Sequence, residues 1–154
     1  MECNIRLMDI TFSSSVDGSG FRDVVFVAGC PHHCEECHNP ETWDFNAGKL
    51  ASCDEVFNKL EKSSITNVTF SGGEPFCQAE SLLYLAKRIK NETDKTIWIY
   101  SGYTFEEIIS DDIKLNLLKE CNVLVDGKFE KDKKGLNLRF KGSENQRIID
   151  IQKR

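Results

Sequence analysis

The chain contains no long apolar run, no excess of basic residues and no repeated segment. The missing apolar run excludes a membrane-spanning helix, and no basic segment precedes an apolar one near the N-terminus, so we expect no secretory signal and a cytoplasmic protein. A net charge of −5 argues against a general electrostatic grip on nucleic acid. Since no linker or low-complexity tract interrupts residues 1–154, we predict one domain.

Cysteine is unevenly distributed along the chain. The seven cysteines are an odd number, which does not fit the disulfide framework of a small secreted protein. Three of them, Cys30, Cys34 and Cys37, lie in one short segment that also holds all three histidines. In a cytosolic protein such a cluster favours metal binding or catalysis. We assign no function to the four scattered cysteines, because a free cysteine is often a small buried apolar residue. These are Cys3, Cys53, Cys77 and Cys121.

Strand and helix patterns alternate along most of the chain. Short apolar runs predict strands, and apolar residues at helical spacing behind a capping residue predict helices. The predicted strands cover residues 3–12, 23–29, 67–71, 96–100 and 121–125, with one or two shorter strands in 138–151. The predicted helices begin after Ser52, Ala79, Thr104 and Ser110. This alternation predicts an α/β fold with a parallel sheet at its core and right-handed crossovers.

The unusual segments of the sequence all follow predicted strands. The cysteine loop (residues 30–38) follows the strand at 23–29, and a glycine turn (residues 72–75) follows the strand at 67–71. The tyrosine loop (residues 101–103) and the segment 126–128 follow the next two strands. In a parallel sheet the carboxyl ends of the strands share one edge, where such folds build their sites. We therefore predict one site made from these four segments.

The cysteines of the loop have the spacing Cys-x-x-x-Cys-x-x-Cys. Iron–sulfur clusters are held by thiolates, normally four of them. Three thiolates from Cys30, Cys34 and Cys37 would leave one iron of a [4Fe–4S] cluster open to a non-protein ligand. An open metal position is typical of chemistry, and a closed one is typical of structure. The alternative is a structural zinc site with a histidine as its fourth ligand.

The three histidines of the cysteine loop receive different expectations. Cys37 and His38 are adjacent, which is an awkward arrangement for two ligands of one tetrahedral zinc ion. We instead expect His38 to pack against, or hydrogen-bond, the extra ligand of a cluster. His32 and His33 are expected to be solvated loop residues.

Two further segments carry groups that suit an amino acid headgroup. Glycines allow close approach of the backbone to a ligand. The carbonyls around Gly73, together with the Glu74 carboxylate, would suit an ammonium group. Lys128, beside Asp126, would meet a carboxylate. Each has a simpler alternative: the glycines are a turn that ends a strand, and the charged pair is an ordinary exposed surface.

These motifs together resemble the radical S-adenosylmethionine (SAM) superfamily. The Cys-x-x-x-Cys-x-x-Cys loop and the Gly-Gly-Glu-Pro turn are its two hallmarks. More narrowly, the chain is similar to the activating proteins of anaerobic (class III) ribonucleoside-triphosphate reductases. The segments that carry this similarity are 16–22, 29–44, 70–75, 101–103, 123–128 and 142–150.

The resemblance implies an enzyme with two cofactors, a [4Fe–4S] cluster and SAM. An electron from a flavodoxin-like donor would reach the cluster and cleave SAM reductively to methionine and a 5′-deoxyadenosyl radical. That radical would take a hydrogen atom from a glycine of the partner, the large subunit of the anaerobic ribonucleoside-triphosphate reductase. The cofactors supply this chemistry, and the protein supplies placement. No acid, base or nucleophile is therefore assigned.

The resemblance also implies site residues and a fold. Cys30, Cys34 and Cys37 would hold the cluster. The residues implied around SAM are Glu36, Cys37 and His38 beside it, Gly73 and Glu74 at its amino group, and Asp126 and Lys128 near its carboxylate. The fold would be an incomplete (β/α) radical-SAM-type barrel with helices outside. With 154 residues the chain is too short for a full barrel of about 250 residues.

Two other functions stay open at this point. One is an activase of another glycyl radical enzyme, of the pyruvate formate-lyase type. Those activases are longer and lack the motif at 142–150, which argues against this choice. The other is a zinc-binding module without enzymatic activity, which metal content would distinguish.

Overall fold

The computed structural model describes residues 3–14, 20–30, 32, 48–62, 67–128 and 145–151. The strands are β1 (Asn4–Ser14), β2 (Arg22–Val27), β3 (Lys49–Ser52), β4 (Asn67–Gly72), β5 (Ile97–Tyr100), β6 (Val123–Asp126) and β7 (Arg147–Asp150). The helices are α1 (Cys53–Glu61), α2 (Ala79–Glu92), α3 (Phe105–Ile109) and α4 (Asp112–Lys119), with a 3₁₀ turn at Pro75–Gln78. No helix of the described ranges is long and apolar enough to cross a membrane.

The strands form one mixed sheet in the order β3-β1-β2-β4-β5-β6-β7. The four central strands β2, β4, β5 and β6 are parallel, which confirms the predicted α/β class and its parallel core. Antiparallel strands flank them: β1 and β3 on one side and β7 on the other. The sequence patterns did not predict β3, which has only four residues and leaves Leu50 exposed at the edge of the sheet.

Among the described residues, an apolar core lies between the sheet and the helices. Alternate residues of the central strands, such as Val25, Phe70 and Ile99, belong to the same buried cluster as the inner faces of α1, α2 and α4. Helix α2 contributes Leu82, Leu85, Ala86 and Ile89. Burying one large aliphatic side chain contributes roughly 1.5–3 kcal/mol. This core holds the parallel strands in register, so it also fixes the loops at their carboxyl ends.

The helix starts agree with two of the predicted caps and correct a third. The Ser52 hydroxyl accepts a hydrogen bond from the Glu55 backbone N–H, and Thr104 forms a complete capping box with Glu107. Helix α4, however, is capped by Asp111 and not by Ser110. The Asp111 carboxylate reaches two backbone N–H groups of the first turn, whereas the Ser110 hydroxyl donates back to the Glu107 carbonyl at the end of α3.

The scattered cysteines do not share one environment. Cys3 and Cys53 form a disulfide that joins the start of β1 to the start of α1, so the expectation of two free cysteines is wrong for this pair. The pairing follows from the fold, because the Cys53 backbone N–H donates to the Cys3 carbonyl at 2.8 Å. Cys121 is buried as expected, whereas Cys77 is exposed.

A buried cation lies at the opposite end of β2 from the cysteine loop. Arg22 is 1% exposed, and its guanidinium donates to the Val68 carbonyl, the Thr69 hydroxyl and the Thr96 carbonyl. Burial lowers the pKa of Arg22 to about 10. The acceptors come from β4 and from the residue before β5, so Arg22 ties three parallel strands together at their amino ends.

Candidate functional site

The carboxyl ends of the four parallel strands come together as the sequence predicted. The Gly73 backbone N–H donates to the Val27 carbonyl at 2.8 Å, and the Glu74 N–H donates to the Gly29 carbonyl at 2.7 Å. The glycine turn is therefore bound to the backbone that leads into Cys30. On the other side, the Ser101 N–H donates to the Val125 carbonyl at 3.0 Å, and Gly127 donates to the Tyr103 carbonyl at 3.1 Å.

Glycine is required where the glycine turn meets the chain before Cys30. A Cβ atom on Gly73 would lie 2.5 Å from the carbonyl oxygen of Gly29, a distance that no side chain tolerates. The turn and the start of the cysteine loop thus approach as closely as two backbones can. Gly73 is therefore required by the contact between these two segments.

Glu74 is a fully buried carboxylate with four hydrogen-bond donors. Its Oε1 accepts from the Gly102 backbone N–H and from Nε2 of His32, each at 2.7 Å. Its Oε2 accepts from the Ser101 hydroxyl at 2.8 Å and from the Phe76 backbone N–H at 3.1 Å. A carboxylate offers about four lone-pair positions, so these donors account for its accepting capacity. Glu74 joins the glycine turn, the tyrosine loop and the cysteine loop.

His32 is a site residue that the sequence analysis missed. It was expected to be solvated, yet its side chain is only 6% exposed and packs edge-on against Tyr103 with 4.6 Å between ring centroids. A Cβ on Gly102 would lie 2.3 Å from the His32 ring, so the tyrosine loop has glycine where the ring passes. The signal that could have identified it is the Glu74 carboxylate, because a buried carboxylate requires donors.

Asp126 lies at the end of β6 and is also saturated by neighbours. Its Oδ1 accepts from the backbone N–H and Nε of Arg147, and its Oδ2 accepts from the Phe105 backbone N–H at 2.7 Å and from Nη2 of Arg147. The side chain is 1% exposed. This carboxylate is therefore not an ordinary exposed charge. It joins β6 to the start of α3 and to β7.

Lys128 follows on the same edge, and its side chain is exposed. Its backbone carbonyl accepts from the Asn145 amide at 2.8 Å, which holds the segment 126–128 against the start of β7. The pKa of Glu107 lies below its ordinary value, mainly because the Thr104 backbone N–H donates to its carboxylate, with smaller contributions from Lys128 and His32.

Tyr103 and Cys77 close the site on the side of α4. The Cys77 sulfur lies 4.0 Å from the Tyr103 hydroxyl, and Nζ of Lys114 lies 4.9 Å from the centre of the Tyr103 ring. Burial raises the pKa of Tyr103, and partial burial followed by the charge of Glu74 raises the pKa of Cys77. Both groups are accordingly protonated near neutral pH, which does not suit a thiolate nucleophile.

The residues available for a metal are only partly within the described structure. Cys30 is a buried thiol shortly after the end of β2, next to the glycine turn. The other implied ligands and contacts, Cys34, Glu36, Cys37 and His38, lie outside the described residues. Within the ranges that the structure describes, no three His, Cys, Asp or Glu side chains form a metal site. A thiolate beside the backbone of the glycine turn fits an iron–sulfur cluster.

Comparison with known proteins agrees with this chemistry. Residues 16–149 match the model of a family described as a 4Fe-4S single cluster domain. Relatives named anaerobic ribonucleoside-triphosphate reductase-activating protein include one from Pasteurella multocida, 37% identical over 143 residues that cover 86% of this chain and 89% of the relative. Those from Enterobacteria phage T4 and Escherichia coli K12 are 38% and 37% identical, covering 86% and 89% of this chain and 86% and 93% of their own lengths. The chain belongs to the family of anaerobic ribonucleoside-triphosphate reductase-activating proteins.

Proposed function

We propose that this protein activates an anaerobic ribonucleoside-triphosphate reductase by generating a glycyl radical in its large subunit. Relatives named anaerobic ribonucleoside-triphosphate reductase-activating protein align with this chain over 89% and 93% of their own lengths. The observation that carries the proposal is the hydrogen-bonded approach of the glycine turn to the chain entering Cys30. At this edge of the sheet, the Cys30 thiol, which could bind a cluster, therefore lies beside the backbone of the glycine turn, which could receive a ligand headgroup.

Cys30, Cys34 and Cys37 would hold a [4Fe–4S] cluster and leave one iron open. The chemistry supplied when cluster and SAM are bound is one-electron reductive cleavage of SAM to a 5′-deoxyadenosyl radical, which takes hydrogen from the partner's glycine. The contribution of the chain is placement. Cys30 is buried shortly after a central strand, and the carbonyl of the preceding Gly29 accepts a hydrogen bond from the Glu74 N–H. The first ligand therefore has a rigid support.

The saturated carboxylates refine the proposed contacts with SAM. Because Glu74 already accepts four hydrogen bonds, we assign it to holding the glycine turn, and we assign the ammonium of SAM to the backbone carbonyls around Gly73. Asp126 likewise fixes the segment in which Lys128 presents an exposed ammonium group to the carboxylate of SAM. Glu36, Cys37 and His38 are proposed beside SAM on sequence grounds alone.

The proposed activity also implies a fold and partners for this protein. Four parallel strands with helices packed against one face are compatible with part of a (β/α) barrel, and we propose that the sheet is an incomplete barrel of the radical SAM type. An open arc would leave a lateral gap through which the glycine loop of the reductase reaches the site. We further propose a flavodoxin-like electron donor and a cytoplasmic location.

One reconstitution experiment tests this function. The protein is loaded with iron and sulfide without oxygen and reduced with SAM present, and 5′-deoxyadenosine is measured. The reductase large subunit is then added and the glycyl radical is recorded by EPR, with a pyruvate formate-lyase in a parallel sample. We expect deoxyadenosine, and a radical on the reductase only. A protein that binds zinc, builds no cluster and leaves SAM intact would overturn the proposal.

A further inference from the structure

We infer that His32 is a positioning residue, whose hydrogen bond to Glu74 fixes the start of the cysteine loop before the cluster assembles. The inference deepens the proposed function and rests on it. It begins from the burial of both partners: the His32 side chain is 6% exposed and that of Glu74 is fully buried. A hydrogen bond to a buried carboxylate is stronger than one between neutral groups.

The pocket around the His32 ring is built from three segments that are distant in sequence. Glu74, in the glycine turn, accepts from Nε2 at 2.7 Å. Tyr103 packs against the ring edge, and Gly102 leaves room that a Cβ would fill. The glycine turn and the tyrosine loop are hydrogen-bonded to the ends of β2 and β6, so the sheet supports the pocket that holds the ring. His32 lies between two of the three implied ligands, Cys30 and Cys34.

Holding His32 adds a second fixed point close to Cys30. On the N-terminal side of Cys30, the Gly29 carbonyl accepts a hydrogen bond from the Glu74 N–H. On the C-terminal side, His32 is hydrogen-bonded to the Glu74 carboxylate. Glu74 therefore binds the chain at two points, one on each side of Cys30. A loop held in this way loses less conformational entropy when it closes around a cluster.

The first test follows the apoprotein by hydrogen exchange, which needs no cluster. Losing one hydrogen bond to a charged group should speed exchange of peptides covering residues 29–34 and 72–76 about tenfold or more in His32→Ala. His32→Gln keeps an N–H donor and should recover part of the protection. Gly102→Ala should mimic His32→Ala, because its Cβ displaces the ring. His33→Ala is the matched control and should exchange like the wild type.

The second test measures the consequence for cofactor binding in the reconstituted protein. Iron and sulfide content and the EPR signal of the reduced cluster, titrated with SAM, are compared among the same variants. We expect about tenfold weaker SAM binding in His32→Ala, partial recovery in His32→Gln and no change in His33→Ala. A global loss of folding would instead change exchange over the whole sheet, including β6.

The outcomes separate this inference from the proposed function. Wild-type exchange rates and SAM binding in His32→Ala, with an active wild type, would overturn the positioning role and leave the activase function intact. Faster exchange without any change in cluster content or SAM binding would also overturn it, because the contact would then be structural only. A wild type that builds no cluster would overturn both.

Discussion

The guanidinium of Arg147 and the carboxylate of Asp126 meet in a bidentate pair that joins the last described strand to the site edge. Nε of Arg147 lies 3.0 Å from Oδ1 of Asp126, and Nη2 contacts Oδ2. Asp126 is 1% exposed, whereas the Arg147 side chain is about half exposed and also contacts Glu106. The hydrogen bonds that its guanidinium donates to Asp126 and then to Glu106 raise the pKa of Arg147, so it stays cationic. The pair fixes the position of segment 126–128.

Removing Arg147 should destabilise the protein and loosen this segment. Arg147→Ala leaves a buried carboxylate with two remaining donors, the backbone N–H groups of Phe105 and of residue 147. An uncompensated buried charge costs about 3–5 kcal/mol, which we reduce to about 2 kcal/mol because the arginine is half exposed to water. Urea unfolding measures this loss. Arg147→Lys, which keeps the charge but not the bidentate geometry, should recover only part of it.

The second partner of Arg147 provides the control. Glu106→Gln removes an exposed ion pair and should change the free energy of unfolding by less than about 1 kcal/mol. If Glu106→Gln lowered the free energy of unfolding as much as Arg147→Ala, the stabilisation would come from the exposed ion pair with Glu106. The buried pair with Asp126 would then not be its source.

Replacing Cys30 should remove the cluster without unfolding the protein. Cys30→Ala deletes one of three proposed thiolate ligands, so we expect most of the iron and acid-labile sulfide to be lost after reconstitution, together with deoxyadenosine formation. Cys77→Ser changes an exposed thiol near the same edge and should retain both. A Cys30→Ala protein with full iron, sulfide and SAM cleavage would show that the ligand assignment is wrong.

Local sequence patterns were sufficient for most of the elements, although not for β3, and for the gathering of the loops after the parallel strands at one edge of the sheet. The parallel strands, the caps at Ser52 and Thr104, and the gathering of the unusual segments at one edge depend on residues close together in the chain. The cap of α4 was misplaced by one residue because Ser110 and Asp111 both suit a cap, and only the fold shows that Asp111 reaches Ile113 and Lys114.

The contacts that complete the site could not be found in this way. His32 and Glu74 are separated by 42 positions, and Arg147 and Asp126 by 21. Their pairing depends on which strand ends become neighbours, and no periodicity of the sequence encodes that. The family resemblance also assigns Glu74 to the amino group of SAM, whereas in the fold its carboxylate accepts hydrogen bonds from four donors of the protein.

The disulfide between Cys3 and Cys53 should contribute measurably to stability. It closes a loop with a sequence separation of 50, and the chain-entropy model gives about 4 kcal/mol for a loop of that size. Wild-type protein should therefore unfold at lower urea concentration after treatment with a thiol reductant. Cys3→Ser should match the reduced wild type and be insensitive to reductant. An unchanged wild-type midpoint, with the reduced state verified by mass, would contradict this.

The capping box of α3 should make stability depend on pH in the acid range. The pKa of Glu107 is lower in the folded protein than its ordinary value of 4.5, mainly because the Thr104 N–H donates to its carboxylate. Its stabilising effect is therefore complete above the unfolded pKa and is lost as pH falls through the folded one. Glu107→Gln keeps an acceptor for the box but has no charge. The difference in urea midpoint between wild type and variant should be present at pH 7 and vanish only when the pH falls below the folded pKa of Glu107. A difference in urea midpoint that does not change with pH would mean that the Glu107 charge plays no part. A difference that disappears in about 0.5 M salt would show that the effect comes from the charges of Lys128 and His32 and not from the hydrogen bond in the capping box.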